Sequence, residues 1–184
     1  LLLKSVDFFR DNFSFKNIDL TKFNFDFVEI HEARPLVVNN EYKIILGTHH
    51  GGEYNGVPRT TTELVILHSD NFNLDNLEIE FIEKIEDQRI RAVYTADVDN
   101  DGEDEIVIGT RPRGILKYYK FIDNTWVGFD IDVLNETIHD ILVADTDGNG
   151  RNEILATVSP VDRSSRGENQ SRDPTGRLIG YEFD

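Results

Sequence analysis

The chain has no cysteine, which excludes a disulfide framework, a thiolate zinc site and a cysteine nucleophile, and leaves the redox compartment unreadable. Methionine is absent too, even at position 1, so a chain that begins at Leu1 is expected to have been processed or cut from something longer. Basic residues are scarce: 19 Lys and Arg stand against 35 Asp and Glu, a formal net charge of −16. That surplus repels phosphate backbones and anionic lipid surfaces, so nucleic acid is not expected as a partner. Long apolar runs are also missing. Nothing approaches the ~18 apolar residues of a spanning helix, and the opening LLLKSVDFF is too short and too soon charged to be a complete signal peptide, so membrane insertion is not expected. No G-x-S-x-G, P-loop or H-E-x-x-H phrase occurs, and no nucleophile and base can be paired by spacing.

What the chain does have is core material. Of 184 residues, 39% are hydrophobic and 10% aromatic, with 12 Phe, enough for one ordinary globular core and against general disorder. N-x-S/T sequons at Asn12, Asn135 and Asn169 are acceptors if the chain passes through a eukaryotic secretory pathway.

It also repeats itself. IRAVYTADVDNDGEDEIVIGT (90–110) lies over IHDILVADTDGNGRNEILATV (138–158), with acidic phrases beginning at 97 and 145, 48 residues apart. In both, an apolar run ending in Ala-Asp leads into the acidic phrase, and a Glu followed by a second apolar run leads out. The flanking runs are short, β-branched and bounded by turn residues, which predicts strands joined by a hairpin loop. YKIILGT (42–48) matches DEIVIGT (104–110), but it is preceded by Asn39-Asn40, a pair suited to a tight two-residue turn in place of the acidic loop.

Further strand-like runs follow each copy: ELVILH and LEIEFIEKI, then GILKYYKF and TWVGFDID, then GRLIGYEF. Four short strands per repeat are what a β-propeller blade looks like in sequence. The expected fold is all-β, with about three four-stranded antiparallel blades. Residues 1–32 form a leading segment with the strand-like run FNFDFVEI, from a preceding or ring-closing blade. Residues 33–89 form a blade without the acidic loop, 90–137 a blade with it, and 138–184 an incomplete blade with it. HHGGEYNGVPRTTT (49–62) and SPVDRSSRGENQSRDPT (159–175) are expected to be long loops inside blades. Closed propellers typically need about four to eight blades, so the chain is expected to be part of a larger propeller; a homodimer closing one ring from two halves is the second arrangement.

The acidic phrases place Asp or Asn at loop positions 1, 3 and 5, Gly at 6 and Glu at 9. A calcium ion takes about six to eight oxygens at about 2.3–2.6 Å, and a tight glycine turn points alternate side chains at one centre. The expected ligands are Asp97, Asp99, Asp101, the Glu103 carbonyl and Glu105 in the first loop. In the second they are Asp145, Asp147, Asn149, the Arg151 carbonyl and Glu153, with one carboxylate fewer and weaker binding expected. Two structural calcium ions are thus anticipated. An EF-hand would need Glu at position 12, which here is Ile108 or Ala156 in a predicted strand. The same text also reads as a polar turn, since Asp, Asn and Gly are common turn residues.

ADVDNDGEDEIVIGT and ADTDGNGRNEILATV resemble the FG-GAP/VCBS repeats of integrin-α-like β-propellers, although no literal FG-GAP phrase occurs. The resemblance covers roughly residues 30–184. It implies a propeller with structural calcium, usually extracellular or at the cell surface, often in proteins of adhesion or carbohydrate binding.

A strand of five or six residues separates its ends by roughly 17–20 Å, so the connections after Thr48, Thr110 and Val158 are expected on the rim opposite the acidic loops. They carry His49, His50 and Tyr54, then Arg111 and Arg113, then Arg163, a candidate surface for an anionic protein or carbohydrate ligand. Solvated loop residues are the plainer reading. The expected function is a calcium-stabilised extracellular binding or adhesion module. The alternative is a propeller domain of a polysaccharide-active enzyme, a lyase or dehydratase, with a base from residues 49–54 and Arg111 or Arg113 neutralising the substrate carboxylate. Trp126, Tyr118 and Tyr119 are expected to pack inside a blade, and His31, His68 and His139 to be structural.

Overall fold

Period-two alternation in segments such as LEIEFIEKIE and TWVGFDIDVL produces strands, and strands make up nearly all the structure. The computed structural model describes residues 20–23, 29–54, 57–69, 76–86, 88–160 and 176–183. Among them a single helical turn, Thr21–Phe23, interrupts the β pattern. One antiparallel sheet runs in the order β1 (Glu29–Val38), β2 (Glu41–Tyr54), β3 (Val57–Ser69) and β4 (Leu77–Glu86). A second follows with β5 (Arg89–Ala96), β6 (Glu105–Arg111), β7 (Gly114–Ile122) and β8 (Thr125–Leu134). The third has three strands, β9 (Glu136–Ala144), β10 (Glu153–Pro160) and β11 (Arg177–Glu182), with β10 in the middle. None closes into a barrel among the described residues.

The second sheet is covered on both faces, which explains why EIVIGT in β6 is buried at every position where a half-exposed strand would alternate. Ile106 and Ile108 join Ile45, Leu64, Ile66, Tyr119 and Trp126 in a core shared with the first sheet. Val107 and Leu116 join Ile138, Ile141, Ile154 and Ala156 in a core shared with the third. Fully burying each such aliphatic side chain contributes about 1.5–3 kcal/mol. Trp126 and Tyr119 lie inside this packing, as the sequence predicts.

Close approach of the sheets depends on two glycines. A Cβ on Gly47 would lie 2.8 Å from Ile90 Cγ2, and one on Gly109 would lie 2.4 Å from Ile138 Cγ2. Each glycine thus admits the isoleucine of the following sheet. Opposite both glycines, and at the matching step of the third sheet, the ladders carry the same irregularity: pairing shifts between Ile30 and Glu32, between Ile90 and Ala92, and at the Thr157/Val158 step, leaving His31, Arg91 and His139 as the extra residues of β-bulges. The threonines beside the glycines serve the backbone. Thr48 Oγ1 donates to the Glu63 carbonyl and accepts from Glu63 N–H, both at 3.0 Å, while Thr110 Oγ1 donates to the Arg113 carbonyl (2.7 Å) and accepts from Ile115 N–H (2.9 Å).

The Asn39-Asn40 turn forms as expected: φ is 52° and 60°, and Val38 pairs with Glu41, the geometry of a type I′ hairpin. Asp123-Asn124 repeats it between β7 and β8 with φ of 50° and 63°.

The structure corrects the long loop anticipated at 49–62. β2 continues through Tyr54 and β3 begins at Val57, with the ladder paired from His50↔Thr61 to Tyr54↔Val57. Polar residues can extend a hairpin when their backbone pairs; the Asn55-Gly56 dipeptide and Thr60-Thr61-Thr62 carried that signal. Of the other anticipated loop, β10 takes residues 159–160, and 161–175 lie outside the described residues. Glu29 and Ile30 of the leading run open β1, while residues 24–28 and the sequons Asn12 and Asn169 lie outside them.

Candidate metal centre

Both acidic phrases connect antiparallel neighbours. Ala96 pairs with Glu105 across the first, and Ala144 with Glu153 across the second. Inside each loop the residue at position 1 organises the backbone. Asp97 Oδ1 accepts from Asp101 N–H (3.0 Å) and Oδ2 from Gly102 N–H (2.9 Å). Asp145 Oδ1 accepts from Asn149 N–H (3.1 Å) and Oδ2 from Gly150 N–H (2.9 Å). Position 5 then takes the N–H of position 7, Glu103 to Asp101 Oδ1 at 3.0 Å and Arg151 to Asn149 Oδ1 at 2.7 Å. The glutamate at position 9 reaches back to position 2: Glu105 Oε2 accepts from Val98 N–H (2.8 Å), and Glu153 Oε2 from Thr146 N–H (2.7 Å).

The backbone turns left-handed at two positions per loop, Asn100 (φ 61°) with Gly102 (φ 96°), and Gly148 (φ 79°) with Gly150 (φ 87°). Asn and Gly are the residues that tolerate this region. Sequence reading used the second position and missed the first, although its residue types carried the signal.

One carboxylate oxygen each from Asp97, Asp99 and Asp101 lies within 4.8 Å of the others, and the same holds for Asp145, Asp147 and Glu153. Oxygens around a calcium ion at about 2.3–2.6 Å can stand at most about 5 Å apart, so both groups could hold a metal ion. Orphaned oxygens agree with that fit: Asp99 Oδ1 and Glu153 Oε1 are buried without a hydrogen-bond partner. Asn149 is engaged within its loop, its Nδ2 donating to Asp147 Oδ2 at 3.1 Å. The side chains of Glu103 and Arg151, expected to contribute carbonyls only, are exposed. Position 12 of each phrase, Ile108 and Ala156, is buried in a strand, against an EF-hand.

Two features escaped sequence reading. Asn152 ties the loops together: its N–H donates to Asn100 Oδ1 (2.9 Å) and its Nδ2 to the Asp97 carbonyl (2.7 Å). Lys120, from β7, sends its ammonium into the first loop, to Asp99, to Asp101 Oδ2 at 2.6 Å and to Glu105 Oε1 at 3.4 Å. Burial works against that charge, but the hydrogen bonds to Asp101 and Asp99 outweigh it and hold Lys120 above the ordinary lysine value. The Lys120 hydrogen bond draws Asp101 below the usual carboxylate range, whereas burial pushes Glu105 up to about 7. Only the β6–β7 register brings Lys120 here, which no local motif announces.

A third acidic group, Glu41, His68 and Glu80, went unread for the same reason, since its members come from three strands of the first sheet. Buried Lys43 lies among them, 3.0 Å from Glu41 and 2.5 Å from Glu80.

At the ends of β5 and β6 away from the acidic loops, His49 and Arg111 come near each other around Arg89. Arg89 faces Arg111 directly across the ladder, and Glu29 faces His49. The Arg89 Nε donates to His31 Nε2 at 3.1 Å, its Nη2 lies 3.4 Å from Glu29, and His31 stacks on His49 with centroids 5.6 Å apart. His49 is 6% exposed, and its Nδ1 has no partner. Burial, then the charges of Arg89 and His31, push its pKa down to about 4. Arg113 is exposed in the β6–β7 turn. The backbones of His50 and Tyr54 lie in β2, but their side chains, and Arg163 altogether, lie outside the described residues. His139 bonds Ser159 Oγ at 2.6 Å.

Comparison with protein-family models, with curated proteins and with solved structures returns no match.

Proposed function

We propose that the chain is a segment of a calcium-stabilised β-propeller of the FG-GAP/VCBS kind, acting outside the cell as a binding module for an anionic protein or carbohydrate ligand. The observation that carries this reading is the shared construction of the two acidic loops, whose matching hydrogen bonds converge carboxylates on one point in each. Face-to-face stacking of three sheets, with the same bulge in each, supports the blade reading. So does the outer face of the third sheet, where Leu142 (46% exposed) and Leu178 (64%) stand uncovered as apolar surface that a further sheet could bury.

Asp97, Asp99, Asp101 and Glu105 in one loop, and Asp145, Asp147 and Glu153 in the other, are the residues that could hold an ion. Bound calcium would supply positive charge that relieves the mutual repulsion of the loop carboxylates and would pin the hairpin that holds it. The ligand surface lies at the ends of β5 and β6 away from the acidic loops, where Arg89, Arg111, His31 and His49 gather with Glu29. Guanidinium groups there suit carboxylate or sulfate.

Thermal unfolding in calcium and in chelator tests the reading. A cation binding only the folded chain stabilises it by about 2.7 kcal/mol at a hundred times its Kd, so the midpoint should rise with calcium, and Asp97→Ala and Asp145→Ala combined should abolish the rise. Identical unfolding in both conditions would defeat it.

A further inference from the structure

The two acidic loops differ in the residue that the neighbouring strand presents to them. β6 pairs with β7 through Ile106↔Tyr119, so one more step sets Lys120 opposite Glu105, in agreement with their 3.4 Å contact. β10 pairs with β11 through Ile154↔Tyr181 and then Glu153↔Glu182. The position that carries a lysine beside the first loop therefore carries a glutamate beside the second. Residues directly opposite in an antiparallel pair project to the same face, so Glu182 stands on the same side of its sheet as Glu153.

The charges in the loops follow. In the first, a single ammonium serves Asp99, Asp101 and Glu105, three of the side chains a metal would use. In the second, Asp145, Asp147 and Glu153 form no ion pair among the described residues. Glu153 is 9% exposed, and while its Oε2 takes the N–H and hydroxyl of Thr146, its Oε1 is buried with no partner. Asp99 also has an unpartnered oxygen, but its charge is met by Lys120 through the other one. A buried carboxylate with neither a cation nor a hydrogen bond on one oxygen is costly, and the second loop is where that cost stands unmet.

We infer that Lys120 serves as a built-in cation that closes loop 97–105, and that loop 145–153, with Glu182 beside it, is the site that takes a divalent ion tightly. The inference rests on the calcium reading above and reverses the ranking that a count of carboxylates in the sequence suggests. An ion entering the first loop must displace an ammonium from three carboxylates, or bind beside it against like-charge repulsion; one entering the second meets Asp145, Asp147 and Glu153 with no cation paired to them among the described residues. The loops remain linked through Asn152, so a single ion at the second also steadies the carbonyl of Asp97 in the first.

Calorimetric titration of the chelator-stripped chain with calcium alone tests this. The wild type should take up one equivalent tightly, Asp145→Ala should lose it, Lys120→Met should take up a second, and Glu182→Lys should weaken the single site by about tenfold or more through the added positive charge. Two equivalents of like affinity in the wild type, a single tight equivalent that survives Asp145→Ala, or one equivalent in a folded Lys120→Met chain would each overturn the inference while leaving calcium binding intact. No uptake by the folded wild type or any variant would overturn the calcium reading, and this inference with it. Wild-type stoichiometry and Asp145→Ala decide the matter even where Lys120→Met does not fold.

Discussion

Alanine at Gly109 should be one of the most damaging single-methyl additions to this chain. Its Cβ would lie 2.4 Å from Ile138 Cγ2, 3.0 Å from Ile138 Cβ and 3.1 Å from Ile141 Cδ1, where carbon contacts normally settle at about 3.5–4.0 Å. Ile138 is fully buried and Ile141 nearly so, and a β-branched side chain cannot swing its Cγ2 aside without leaving its rotamer. Overpacking of this kind costs about 1–3 kcal/mol, while alanine recovers about 0.4–1 kcal/mol by restricting the unfolded chain. The net expectation is a loss of roughly 1–2 kcal/mol. Gly180 is the internal control, because its added Cβ would come no nearer than 3.5 Å to Leu155 Cδ2; Gly180→Ala should be neutral or mildly stabilising. Urea unfolding followed by the fluorescence of Trp126 reads both. Combining Gly109→Ala with Ile138→Ala should cost less than the two single changes added together, since the colliding methyl is gone. A Gly109→Ala chain as stable as Gly180→Ala would refute the claim that the sheets meet through this glycine.

Two further outcomes follow from the same structure. His49 is held neutral in the fold, its pKa lowered to about 4 from 6.5 chiefly by burial and then by Arg89. Its share of stability is complete above pH 6.5 and is lost as pH falls toward 4, because the unfolded chain then binds a proton that the fold refuses. Stability measured from pH 8 to 4 should therefore fall less steeply in His49→Gln than in the wild type; parallel profiles would contradict the assignment. At the first hairpin, Asn40 has φ of 60°, so Asn40→Val should cost about 1–2 kcal/mol in urea unfolding while Asn40→Gly is tolerated. Equal midpoints for the two would show that the turn does not require the left-handed backbone.

How much of this was readable in advance depends on the distance over which each feature is written. Strand positions, the Asn39-Asn40 turn and the acidic hairpins rest on neighbouring residues, so alternation and turn chemistry revealed them. The extension of β2 and β3 through residues 49–62 was also written locally, in Asn55-Gly56, but the polarity of the stretch masked it. Lys120 was hidden for a different reason. Its place among Asp99, Asp101 and Glu105 follows from the β6–β7 register, and a lysine in KYYKF reads equally well as solvated. The Gly47 and Gly109 contacts are sheet-to-sheet and have no local signature beyond the Gly-Thr phrase. The approach of His49 to Arg111 on the side away from the acidic loops was accessible from strand direction alone, whereas Arg89, at its centre, was not, because it opens the next sheet.

Whether an acidic hairpin loop in this fold holds calcium is decided by anomalous diffraction from crystals grown with saturating calcium. A calcium peak is expected in loop 145–153 within about 2.3–2.6 Å of Glu153 Oε1 and the carboxylates of Asp145 and Asp147, with the ammonium of Lys120 still seated in loop 97–105. Ordered density in both loops with no calcium peak in either would contradict calcium binding.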